Sequence, residues 1–245
     1  MEQMAYLAVS RRLFTELVAG PEDRIDLGRA ALVIASEEYP GLDMLRYVAK
    51  LEAMAAAVRA RLTDTQEPLS TIQCLNAYLF GERGLRGNSN AYYDPRNSFL
   101  NAVLDRGLGI PITLSVVYME VGRRIQFPLQ GVGMPGHFIV KPVGLEEEIY
   151  IDPFNAGRVL SREACEELVQ EMYGGQVPFD ATFLEPVTKK QILARILSNL
   201  KAIYVQTRQY LKALSVVERL LLVQPGAEQE ARDRAALRNL VSMLN

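Results

Sequence analysis

The sequence predicts an α+β protein, mostly helical, in which a small antiparallel sheet separates two runs of helices. Three observations carry this. Apolar residues recur at three- and four-residue spacings through about the first 85 positions. Short segments rich in Val, Ile and Phe, bounded by Gly and Pro, fall between 127 and 151. From about 188 to the end the helical period returns.

Taken in order, Ile25, Leu27 and the AALVIA stretch at 30–35 form a first apolar run, which Tyr39-Pro40-Gly41 stops. Asp43 is placed to cap the next helix, whose inward set is Leu45, Val48, Leu51, Met54, Ala55 and Val58. A third helix, from about Ser70 to Phe80, carries Ile72, Cys74, Leu75, Tyr78 and Leu79, and the glycine-rich stretch 81–91 reads as a loop. Asp94-Pro95 opens a helix that turns Phe99, Leu100, Val103 and Leu104 inward and stops near Gly107. Gly109-Ile110-Pro111 opens another at once, with Leu114, Val117, Tyr118, Val121 and Ile125 along one stripe. Strands are expected at 127–132, 137–143 and 148–151. Ser161 caps a further helix whose buried face holds Cys165, Leu168, Val169 and Met172.

Composition narrows the function. The 245 residues carry a net charge of −2, which argues against nucleic acid as the main partner. Between Thr188 and Pro225, however, seven basic residues (Lys189, Lys190, Arg195, Lys201, Arg208, Lys212, Arg219) face one acid, Glu218, a local charge of +6 that suits an acidic partner. Two cysteines and one histidine leave no disulfide framework and no usual zinc site, and no cofactor is expected. The opening MEQMAYLAVSRRLF lacks the long apolar core of a signal peptide, and no run approaches a membrane span, so a cytoplasmic location without membrane contact is expected.

The single histidine is the first candidate for chemistry. His137 enters a strand; Gly144 and Leu145 mark a turn; the chain returns as Glu148-Ile149-Tyr150-Ile151-Asp152. Centring the hairpin on 144/145 sets Lys141 against Glu148, Val140 against Ile149 and His137 against Asp152. A facing carboxylate fixes the imidazole tautomer and leaves the other ring nitrogen available as a base. Gly131, Gly133 and Gly136 fit G-x-G-x-x-G, but Pro135 and a strand follow where a dinucleotide site needs a helix, so this stretch reads as the loop delivering His137.

Three strings, YDPRNSFLNAVLDRGLGIPITLSVVYMEVGRRI (from Tyr93), GVGMPGHFIVK (from Gly131) and YIDPFNAGRVLS (from Tyr150), together with DLGRAALVIASEEYPGLD near the front, resemble the bacterial SirB family. The resemblance covers nearly the whole chain. It implies a transglutaminase-like (papain-like) α+β core in which a helix packs on a small antiparallel sheet. In catalytic members of that superfamily a cysteine sits at the helix N-terminus, with His and Asp on successive strands; His137 and Asp152 match the last two. The window that would hold the thiol reads Gly109-Ile110-Pro111-Ile112-Thr113-Leu114-Ser115, with Pro111 or Thr113 in the nucleophile's place. A helix N-terminus stabilises a thiolate, whereas a hydroxyl gains less there and needs an adjacent base. Thr113 and Ser115 are the hydroxyl candidates, and Asn97 and Asn101 the candidate oxyanion donors. Arg96 and Arg106 are candidate carboxylate binders, and Cys74 and Cys165 read as small core residues.

Residues 197–225 resemble one tetratricopeptide repeat, with Leu200, Tyr204, Tyr210, Ala213, Val217 and Pro225 at that family's spacings. A lone repeat leaves a face uncovered, so 227–245 is expected to supply a capping helix through Ala231, Ala235, Leu237, Leu240 and Leu244. The expected organisation is a front end plus core over 1–187 and a helical unit over 188–245. The expected function is that of a non-catalytic module that binds a protein, peptide or other ligand in a regulatory role. The alternatives are a hydrolase or acyltransferase using Thr113 or Ser115, and a scaffold acting through the repeat alone.

Overall fold

The computed structural model describes residues 2–62, 67–145 and 147–243. Short-range signals set most helix starts. After α1 (Glu2–Ala19) and a 3-10 turn (Glu22–Arg24), Asp26 accepts from Arg29 N at the head of α2 (Leu27–Ser36). Asp43 does the same for Arg46 N at α3 (Met44–Arg59). Such a cap satisfies one of the amides a helix start leaves unpaired. On α3 the inward set differs at its start. Leu45 is 78% exposed, and Tyr47, two positions on, takes the buried place.

The third expected helix is α4 (Pro68–Asn76), which widens into a π-helical turn (Ala77–Glu82) instead of ending at Phe80. The glycine-rich stretch after it is not all loop: β1 (Arg86–Gly87) pairs in parallel with β2 (Leu108–Gly109). The helix expected from Pro95 is broken in two. Asp94 caps a 3-10 turn (Pro95–Asn97), Phe99 is extended, and α5 (Leu100–Arg106) begins afresh before Gly107 ends it in the left-handed region. Proline supports the first turn, but the tertiary fit of Phe99 interrupts it.

Helix α6 (Pro111–Arg124) begins with Pro111 at its first position, and residues around its whole circumference are buried. It packs on a five-stranded antiparallel sheet ordered β6-β5-β4-β3-β7: β3 (Leu129–Val132), β4 (Ile139–Pro142), β5 (Tyr150–Asp152), β6 (Arg158–Leu160) and β7 (Pro186–Val187). The outer strands β6 and β7 have no alternating apolar signal and were not expected. Alternation sorts the inner strands: Phe138, Val140 and Ile151 join the main core with α6, while Val132, Ile139, Tyr150 and Leu160 join a second core. That second core is closed by α7 (Arg162–Tyr173), which Ser161 caps through Ala164 N. Cys165 and Val169 are buried there, whereas Met172 is 40% exposed.

Three helices close the chain: α8 (Lys189–Gln206), α9 (Tyr210–Val223) and α10 (Glu228–Met243). Thr188 and Gln191 form a reciprocal cap at the head of α8. Leu200, Tyr204, Ala213 and Val217 are buried between helices, and the main core continues across position 188 through Ile192, Leu193, Ile196 and Leu197. On α10 only Leu237 of the expected inward set is buried; Ala231, Ala235 and Leu240 are exposed, and Leu244 lies outside the described residues. Many basic side chains of this region meet carboxylates: Lys201 with Glu230 and Asp233, Lys212 with Glu38, Arg219 with Glu37. No described helix is long and apolar enough to cross a membrane.

Candidate functional site

His137 lies at the mouth of β4 and Asp152 at the end of β5. The register between these strands pairs Val140 with Ile151, not with Ile149. The hairpin is therefore slipped by two residues from the tight turn expected, because the connection spans 143–149 and is no two-residue loop. Lys141 consequently lies by Tyr150 (6.0 Å from ring centroid to Nζ), and Glu148 pairs with Arg162 at 3.6 Å. A slip of two keeps every side chain on its face of the sheet. His137 and Asp152 thus become diagonal neighbours, and Nε2 still reaches Oδ2 at 2.8 Å. The Phe154 ring, from the 3-10 turn after β5, meets the imidazole edge-on at 6.0 Å.

Asp152 is also the cap of the 3-10 turn Pro153–Asn155. Its Oδ1 accepts from Phe154 N (3.0 Å) and Asn155 N (3.3 Å), and its Oδ2 from Asn155 Nδ2 (2.7 Å). Burial by itself would raise this carboxyl, but the hydrogen bonds from His137 and Asn155 outweigh it and hold the group below the usual carboxylate range. The Asp152 carboxylate orients the imidazole through Nε2 and leaves Nδ1 uncommitted. Among the described residues no side chain bonds to Nδ1.

The hydroxyl candidates point elsewhere. Thr113 Oγ1 donates to Asn97 O (2.7 Å) and accepts from Ile110 N (3.1 Å), closing the first turn of α6. Ser115 is fully buried, with Oγ 3.5 Å from Phe138 O. Asn97 is buried too: its amide donates to Ala91 O and Tyr92 O and its oxygen accepts from Asn88 and Arg106, so it holds the 88–92 loop against α5. Asn101, on α5, leaves a buried Oδ1 without a partner among the described residues. Arg96 and Arg106 both pair with Asp94. Burial, with Asp152, Glu148 and Glu163 nearby, pushes the Cys165 thiol up to about 12, so it is no nucleophile at neutral pH. Cys74 is half-buried against the core.

Several residues around His137 carried no signal in the sequence. Arg195, on α8, donates through Nη2 to Met134 O (3.0 Å) and His137 O (2.7 Å), clasping the turn that presents the imidazole. Tyr92 meets Phe154 edge-on at 6.3 Å. For Asn155 alone a signal existed and was not used, since Asp-Pro-x-Asn is a turn-forming string. A separate cavity of about 510 Å³ opens between α1, α2, α8 and α9, but its charges, Arg11, Lys212 and Arg219 against Glu37, Glu38 and Glu218, are paired among themselves. No described group of three or more His, Cys, Asp or Glu is arranged to hold a metal.

A helix buried against an antiparallel sheet whose successive strands bring His and Asp together defines a transglutaminase-like protein. The profile of the transglutaminase-like superfamily matches residues 45–198, and the chain belongs to that superfamily. Among bacterial relatives, a UPF0162 protein of Xylella fastidiosa is 38% identical over 225 residues, covering 91% of this chain and 80% of its own. UPF0162 protein PA3419 of Pseudomonas aeruginosa is 30% identical over 208 residues, 84% and 76% of the two chains. Human F-box only protein 21 is 28% identical over 156 residues, 60% of this chain and 24% of that one. These relatives agree with the family resemblance carried by the sequence. No solved structure matches.

Proposed function

We propose that this chain is a non-catalytic transglutaminase-like module whose His137–Asp152 site binds a partner or ligand without turning it over. The observation that supports this most directly is the fate of the α6 N-terminus. The thiol position holds no cysteine, and the nearest hydroxyl, that of Thr113, is spent on Asn97 O and the Ile110 amide. An imidazole with one nitrogen ordered by a carboxylate and the other unopposed remains a good hydrogen-bonding group for a ligand. The recurrence of a similar segment as a minor part of F-box only protein 21 suits a transferable module. In this reading α8 and α9 form a tetratricopeptide-like pair over 188–245, docked on a core over 1–187, and the partner is an acidic protein or peptide in the cytoplasm. No cofactor, nucleic acid or membrane takes part.

The test is a screen of purified protein for hydrolysis or transfer on amide and ester substrates. The proposal expects none. Turnover that disappears in His137→Ala would overturn it, and its loss in Ser115→Ala or Thr113→Val would identify the hydroxyl responsible.

A further inference from the structure

We propose that Arg195 is the anion-recognition residue of the His137 site and that the group it takes is a carboxylate presented beside an aromatic or apolar moiety. The inference rests on the binding reading above and names the chemistry of the ligand. Its starting point is a missing partner. Arg106, Arg124 and Arg219, all wholly or partly buried, each meet a carboxylate. Arg195 is half-buried and its guanidinium lies over the Phe138 ring at 5.6 Å, yet no carboxylate among the described residues pairs with it, and its only hydrogen bonds there run from Nη2 to the Met134 and His137 carbonyls. A guanidinium has five N–H donors in a planar fork, so most of them stay uncommitted. Removing such a cation from water without a counter-charge is costly, and a carboxylate is its best-matched partner.

The surroundings say what kind of partner fits. The carbonyl that Arg195 grips belongs to His137 itself, so guanidinium and imidazole lie at one turn of backbone. Phe154 packs edge-on against His137, and Tyr92 against Phe154. The Tyr173 hydroxyl sits 2.9 Å from where a β-carbon on Gly136 would stand, so position 136 has no room for a side chain. A cation and an imidazole rimmed by aromatic rings match a ligand with one anionic head and a flat apolar body. Acidic side chains and C-terminal carboxylates of peptides share that head group with small organic acids.

His137 is the chain's only histidine, so in untagged protein its imidazole signals need no assignment. These signals would be followed by NMR during titration with benzoate and with benzamide, which has the same shape without the charge. Benzoate is expected to give a saturable shift and benzamide none. Arg195→Gln is expected to weaken benzoate by about tenfold or more, an amount that corresponds to loss of one charged contact. Arg195→Lys keeps the charge but not the fork, and is expected to restore much of the binding. Absence of a saturable benzoate shift, equal response to benzamide, or unchanged binding in Arg195→Gln would each overturn the assignment. So would a lysine variant as weak as the glutamine one, because the clasp on the turn and not the charge would then be at stake. Inorganic phosphate binding as tightly as benzoate would remove the carboxylate preference. N-acetylglutamate and a peptide with a free C-terminus then separate the two peptide sources. Amide turnover would sink the non-catalytic reading while leaving this result intact, since benzoate has no scissile bond.

Discussion

Replacing Asp152 by alanine tests the construction of the site more sharply than any other single change. Four hydrogen bonds converge on this carboxylate, from Phe154 N, Asn155 N, Asn155 Nδ2 and His137 Nε2, and its residue is 1% exposed. Loss of the cap to the two backbone amides costs about 1 kcal/mol and loss of each of the two side-chain bonds roughly 1.5–3, so Asp152→Ala is expected to destabilise by about 4 kcal/mol, the low end of the sum. For a chain of this size that corresponds to a fall of about 8–16 °C in Tm. Thermal unfolding by circular dichroism measures it, with Asp152→Asn as the intermediate case. The pH dependence gives an independent check. The folded carboxyl titrates below its ordinary value, so it contributes stability above the unfolded pKa, about 3.9, and that contribution is lost as pH falls through the folded pKa. The gap in Tm between wild type and Asp152→Asn should accordingly be full near pH 7 and shrink below about pH 4. A fall in Tm under about 3 °C for the alanine variant, or a gap that does not narrow in acid, would refute the reasoning.

Other expectations follow from the same geometry. Thr113→Val keeps the shape but leaves the Asn97 carbonyl and Ile110 amide unpaired, and should cost about 1–3 kcal/mol in urea unfolding. Gly157→Ala places a methyl group on the Asn76 amide, which bonds Gly157 O and Tyr118, at a backbone φ of +73°; a loss of about 2 kcal/mol or more is expected. Gly144→Ala is its control, with φ of +80° but open space, and should lose only about 1 kcal/mol. Arg219→Met leaves Glu37 only Arg11 and Ser215 as partners and should cost about 1–3 kcal/mol, part of which a second change, Glu37→Gln, recovers.

The sequence by itself determined what depends on near neighbours. Asp43, Ser161 and Pro111 act within a turn of their own positions, and each starts the helix it was expected to start. Strand alternation is equally local. Because its period is two, it brought His137 and Asp152 to one face even though the assumed register was wrong by two residues. Tertiary structure decided what depends on distant groups. The 143–149 connection set the true register, and the Phe154 ring came to lie edge-on to His137. Thr113 became a structural hydroxyl because Asn97 O, sixteen positions away, lay within 2.7 Å. Leu45 was turned out and Tyr47 in, where its hydroxyl reaches Asp105 on α5. Arg195 came to the His137 turn from 58 residues downstream. Periodicity and caps are energetic preferences of a segment a few residues long. A hydrogen bond between segments exists only once the core has brought them together, and one sequence carries no local trace of it.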